Sequence, residues 1–179
     1  MSNRLKRVGN YFRSRYSTVD GREFYGQMLS IPDTSRVSNF HSARRYLRTD
    51  VESFIVPGDV INVDGVLFIV ADHGTGFYQQ PIYKHFKLFQ VDLTAQWFKT
   101  EDVMDPVTGV ISHSYETTPT LVYLSTQPKP SIDDQLKVQT LQITAICNVA
   151  VNLSDKVGEY KVTKVDSELG VYALTMKVI

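Results

Sequence analysis

Apolar residues alternate with their neighbours along Leu141, Ile143, Ala145, Cys147, Val149 and Val151, the period of two that sets one face of a long strand against a core. Upstream, Val60 to Val63 and Val66 to Ala71 are β-rich runs separated only by Asp64-Gly65. Asp and Gly accept the positive φ angles of a two-residue turn, so the spacing predicts a hairpin, entered through the turn Pro57-Gly58-Asp59. The unbroken apolar run Val66 to Val70 predicts a strand buried on both faces or crossing a barrel interior. Further strands are predicted at Tyr83 to Leu93, Ala95 to Val103, Val110 to Glu116 and Thr120 to Thr126, with Asp105-Pro106-Val107-Thr108-Gly109 as a turn. The final stretch, EYKVTKVDSELGVYALTMKVI, reads as two strands turning at Asp166 to Gly170, and QPKPSIDD, Gln127 to Asp134, reads as an exposed loop or arm. Short β runs without interleaved helical periods give a mainly β fold, an antiparallel β-barrel or sandwich.

The start of the chain has a different period. Leu5, Val8, Phe12 and Tyr16 fall at helical spacing, interrupted by Gly9. Phe40, Ala43 and Leu47, with Ser38 or Asn39 as cap, predict a second short helix, and 17–39 reads as loop with one short strand near Glu23 to Ile31. The expected organisation is a short basic α-helical or irregular N-terminal arm, 1–48, and a barrel domain, 49–179. No internal repeat is visible in the residues.

Charge sharpens that division. The 179 residues carry no net charge, yet every arginine precedes residue 49, and 1–48 hold ten bases against three acids, a net +7 that leaves −7 on the remainder. Arg4, Lys6, Arg7, Arg13 and Arg15, with Arg44, Arg45 and Arg48, are the candidate contacts to a partner or to DNA. A basic arm on an acidic body favours head-to-tail docking between copies or onto an acidic partner. Nucleic acid is the alternative, with Tyr11, Phe12, Tyr16, Phe24 and Tyr25 as stacking platforms beside the arginines. Cys147 is the single cysteine, so no intrachain disulfide forms and a reducing compartment is favoured; its place in the alternation predicts a small buried core residue. Neither a signal-peptide run nor an apolar stretch of bilayer length is visible, which predicts a soluble, unsecreted chain with no membrane contact.

Candidate chemistry is sparse. His73-Gly74-Thr75-Gly76 is like the glycine-rich loop that supplies oxyanion-hole amides in some hydrolases, but no G-x-S-x-G accompanies it and neither phosphate-loop pattern is present, so it reads as a turn after a buried strand. His41, His73, His85 and His113 have no paired ligand spacing, and Glu101-Asp102 and Asp133-Asp134 read as solvated loop ends. No cofactor, metal or catalytic group is expected. Length and turn composition mark 72–82, with His73, Gly74, Thr75, Gly76, Phe77 and Tyr78, and Gln127 to Asp134 as contact loops.

PGDVINVDGVLFIVADHGTG, a following strand containing Trp97, the DPVTG turn and the closing YKVTKVDSELGVYALTMKV hairpin together resemble virion proteins from the neck of tailed bacteriophages, of the head-completion, head-closure or head-to-tail connector kind. The resemblance implies a small β-barrel with helical or extended arms that assembles as a homo-oligomeric ring below the portal, continues the DNA channel and helps retain the genome. It implies a place in the virion, with copies of itself, the portal and other neck or tail proteins as partners and non-specific contact with genomic DNA. Two other readings stay open: a nucleic-acid-binding β-barrel module with a basic arm, and a small hydrolase using Asp72 and His73. On the docking reading, deletion of residues 1–16 is expected to abolish assembly and leave a folded barrel.

Overall fold

The computed structural model describes residues 14–30, 45–78, 80–133 and 138–179, with the backbone alone at 30, 73–78, 80–82, 113, 127–133, 138–141 and 168. The described residues form an all-β, antiparallel fold of fourteen strands. The first six are β1 (Ser14–Thr18), β2 (Glu23–Ser30), β3 (Arg45–Asp50), β4 (Val60–Val63), β5 (Val66–Tyr78) and β6 (Gln80–Gln90). They close a barrel in the order β1-β2-β3-β6-β5-β4, sealed where Thr18 pairs with Ile61 and Ser17 with Asn62. There follow β7 (Leu93–Phe98), β8 (Thr100–Met104), β9 (Ile111–Tyr115), β10 (Thr120–Asp133), β11 (Val138–Cys147), β12 (Lys156–Val157), β13 (Tyr160–Glu168) and β14 (Val171–Val178). Six of these close a second barrel in the order β10-β11-β14-β13-β12-β7, while β8 and β9 form a separate two-stranded sheet. The chain divides into two compact units, Met1–Val91 with Leu169–Val171, and Asp92–Glu168 with Tyr172–Ile179.

The two barrels share one topology. Numbered within each barrel, the strands run 1-2-3-6-5-4 around both rings. The correspondence reaches individual hydrogen bonds at the corner before the fourth strand. In the first barrel Val56 N donates to Asp59 Oδ2 (2.9 Å), Asp59 N to Val56 O (3.2 Å), Gly58 N to Val70 O (2.8 Å) and Val70 N to Asp59 O (2.9 Å). In the second, Asn152 N donates to Asp155 Oδ2 (2.8 Å), Asp155 N to Asn152 O (3.3 Å), Ser154 N to Val162 O (3.0 Å) and Val162 N to Asp155 O (2.9 Å). Gly58 and Ser154 occupy the same position and both have positive φ, 93° and 74°. The chain is therefore a structural duplication, a repeat the sequence hides because the four-residue corners VPGD and NLSD share only the aspartate.

Each barrel has its own core. The first packs Phe24, Leu47, Ile61, Phe68, Val70, Phe86 and Leu88; the second packs Trp97, Leu124, Ala145, Cys147, Val157, Leu174 and Met176. Closure leaves a six-stranded ring without exposed ladder edges. The Asp64-Gly65 turn forms as its residues dictate, with φ of 52° and 84°, and joins β4 to β5 in the register Val63 opposite Val66. The closing strands turn at Leu169-Gly170.

Several local expectations are corrected. Arg45–Asp50 is strand β3 rather than the end of a short helix, because Tyr46, Leu47 and Thr49 are buried in a sheet pattern between β2 and β6. Tyr16 does not continue a helical stripe from Phe12. It sits in β1, its ring 5.8 Å from that of its cross-strand partner Phe24. The remainder of the expected arm helix, 1–13, and its second helix up to residue 44 lie outside the described residues. Both expected contact loops are strands: 72–78 continues β5, with bulges at Asp72/Gly74 and Gly76/Phe77, and Gln127–Asp133 continues β10 opposite β11. Pro128 and Pro130 suggested a loop because proline cannot donate to a ladder. Thr126 N points away from β11, donating to the Asp92 carboxylate at 2.9 Å, so by the period of two Pro128 and Pro130 fall on that same edge, beyond the last β7 partner at Leu124.

Candidate functional site

Strand pairing distributes the basic residues that sequence reasoning grouped. Arg15 is exposed on β1 and forms an ion pair with Glu23 across the ladder, which raises the guanidinium above its ordinary value chiefly through that hydrogen bond. Arg22 donates to Asp20 (2.7 Å), lies 3.9 Å from Asp59 and stacks 4.6 Å over the Phe54 ring. On β3, Arg45 lies 5.3 Å over the Phe68 ring and the half-buried Arg48 lies 4.8 Å over Tyr83. These arginines are thus already engaged by carboxylates or aromatic faces. Arg4, Lys6, Arg7, Arg13 and Arg44 lie outside the described residues.

Of the residues expected to form a stacking platform, Tyr11 and Phe12 lie outside the described residues. Phe24 is a core residue and Tyr16 is half-buried against the same core, leaving Tyr25 exposed. Tyr25 and Phe54 line an open cavity of about 580 Å³ together with Glu23, Asp50 and Glu52. Aromatic faces beside three carboxylates suit a cationic group and repel phosphate. The cavity already has cations of its own chain at its rim, since Arg15 holds Glu23 and Arg22 covers Phe54.

The histidine question receives a partial answer from register. The β5–β6 ladder pairs Asp72 with Phe86 and Gly74 with His85, so His73 falls within a bulge next to His85 along the ladder. His85 is half-buried between the rings of Tyr46 (5.4 Å) and Tyr83 (6.3 Å). Among the described residues, no group of three His, Cys, Asp or Glu is placed to hold a metal ion. Cys147 is fully buried in the second core, and burial pushes its thiol up to about 11. A folded-state value above the ordinary one contributes stability below the ordinary value that is lost as pH rises toward about 11. The native chain is therefore expected to resist a disulfide reagent at mildly alkaline pH and to react with one equivalent once urea unfolds it; stoichiometric labelling of the native chain would contradict this burial.

The most exposed apolar surface among the described residues is not one the sequence singles out. The β8–β9 ladder pairs Met104 with Ile111 and Val103 with Ser112, outside either barrel, and Val103, Met104, Val107, Val110, Ile111 and Tyr115 are all exposed. The available signal is the apolar content of VMDPVTGVI, which the sequence pattern divides into strand ends and a turn. The buried carboxylate of Asp155 was missed as well. It accepts Trp97 Nε1–H, Thr100 N–H and Asn152 N–H, each at 2.8 Å, and no spacing rule points to it. No protein-family model, curated protein or solved structure matches the chain.

Proposed function

We propose that the chain is a structural, non-catalytic assembly subunit that docks on copies of itself through its basic N-terminal segment to build a ring, in the manner implied by the resemblance to phage neck proteins. On this reading the ring sits in the virion between portal and tail and continues the DNA channel. The observation that carries it is architectural: two closed barrels have no free ladder edges of their own, yet two hairpins, β5–β6 and β10–β11, run on beyond the strands that flank them, and a third, β8–β9, forms a sheet of its own. Hairpin arms extending from closed barrels suit contacts with neighbouring subunits. Charge supports it too, since arm 1–13 carries Arg4, Lys6, Arg7 and Arg13 without an acid while the chain after residue 48 is net negative. The acidic, aromatic cavity on the first barrel is unsuited to a phosphate backbone, which disfavours the nucleic-acid module.

Electron microscopy of the purified chain, alone and mixed with portal or tail components, tests the proposal. Annular particles with a central opening are expected. A chain that stays a dispersed monomer and joins no ring under either condition would overturn it.

A further inference from the structure

The duplication exposes β8–β9 as an insertion. In the first barrel, residues 19–22 connect strand one to strand two; at the same place in the second barrel, 99–119 connect β7 to β10 and carry the hairpin. The ring closes without it, because β10 pairs directly with β7 from Leu93/Leu124 to Trp97/Thr120, while the hairpin's base is tied to the barrel through Thr100, whose N donates to Asp155 Oδ1 and whose hydroxyl donates to Ser154 O, both at 2.8 Å. A lone two-stranded hairpin is marginally stable in water. This one holds five aliphatic side chains in solvent, with Val107 at its tip 89% exposed. Contiguous exposed apolar surface of this kind marks a contact site.

The tip is ordered. Asp105 Oδ1 accepts Val107 N–H (2.8 Å), Asp105 Oδ2 accepts the Thr108 hydroxyl (2.8 Å), and Asp105 N donates to Val110 O (2.9 Å). A surface fixed before binding loses less entropy on docking. The hairpin is also acidic: 99–116 contain Lys99 against Glu101, Asp102, Asp105 and Glu116, and Lys99 lies 3.9 Å from Glu116.

We propose that the β8–β9 hairpin is the acceptor for residues 2–13 of a second copy of this chain. That segment complements it twice. Leu5, Val8 and Phe12 supply apolar side chains spaced three and four apart, and Arg4, Lys6, Arg7 and Arg13 supply charge opposite to Glu101, Asp102 and Asp105. The cavity on the first barrel is the weaker acceptor, because Arg15 and Arg22 of its own chain already occupy its carboxylate and aromatic rim. The inference rests on the assembly reading for the presence of a second copy, and is independent of where in a particle the assembly sits.

Lys6 is the only lysine before Lys84, so its coupling is readable in the full-length chain. Equal amounts of ¹⁴N- and ¹⁵N-labelled chain are mixed in urea, refolded together so that both isotopes enter each assembly, treated with a zero-length carbodiimide and digested. The expected product is a mixed-isotope amide between Lys6 and the carboxylates of 101–105. The Met104→Ser/Val107→Ser/Ile111→Ser variant removes only exposed side chains, so circular dichroism should be unchanged while coupling falls about tenfold or more. Unchanged coupling in that variant overturns the proposal, as does coupling of Lys6 to Asp50 and Glu52 instead, or coupling confined to same-isotope pairs. An oligomeric chain without hairpin coupling overturns this inference and leaves the assembly reading standing, whereas a monomeric chain without mixed-isotope products removes both.

Discussion

Asp155→Ala is expected to destabilise the second barrel by about 3–5 kcal/mol, because three N–H donors lose their acceptor at about 1–3 kcal/mol each. The carboxylate is 1% exposed and accepts N–H donors from three places: the Trp97 ring, the backbone of Thr100 and the backbone of Asn152. Truncation strands all three, the Trp97 N–H in a buried site and the Thr100 and Asn152 N–H groups in part-buried ones. Asp155→Asn keeps the shape but should not rescue it. Oδ2 receives both Trp97 and Asn152 and Oδ1 receives Thr100, so either amide orientation turns an NH2 group against an N–H. Asp59→Ala, at the matching corner of the first barrel, is expected to cost only about 1 kcal/mol, since its carboxylate accepts one backbone N–H and is partly solvated. Trp97 is the only tryptophan and lies in the second core, so its emission in urea follows that barrel. A near-native midpoint for Asp155→Asn would contradict the assigned hydrogen bonds.

Gly26→Val is the second large effect, and it falls on the first barrel. Gly26 is buried in β2 opposite Ser14 and Thr49, where a Cβ would stand 2.8 Å from Leu47 Cδ1 and 3.0 Å from the Arg48 carbonyl oxygen. Leu47 is fully buried, and the carbonyl belongs to a strand paired on both sides, so neither yields readily. Alanine is expected to cost about 1–3 kcal/mol by overpacking, and valine more. Early loss of far-UV dichroism should then precede an unshifted Trp97 transition. A wild-type melt for Gly26→Val would show that the two strands do not approach as closely as described.

Much of the chain after residue 53 was legible because its residues signal locally. Asp64-Gly65 carries its own turn, Leu141 to Cys147 alternates, and the closing hairpin breaks at Gly170. What escaped depended on pairing at a distance. The helical spacing of Leu5, Val8, Phe12 and Tyr16 ends in a strand because Tyr16 packs on Phe24 across the ladder. Pro128 and Pro130 look like loop residues until the direction of Thr126 N–H places them on the edge of β10 beyond its last β7 partner. The duplication stayed hidden because its clearest element is a pattern of four backbone and carboxylate hydrogen bonds, which Gly58 and Ser154, or Val56 and Asn152, satisfy equally.

The structure also moves the boundary of the arm. Residues 14–18 are β1, which closes the first barrel between β2 and β4, so a deletion through residue 16 would open the barrel as well as remove the bases. The cut that separates assembly from folding ends at residue 13. Native mass spectrometry of the intact chain beside the chain lacking residues 1–13 is the direct test of docking through the arm. The account predicts a closed oligomer of fixed copy number for the intact chain and a folded monomer, with unchanged dichroism and Trp97 emission, for the truncated one. The same oligomeric state for both chains would contradict it.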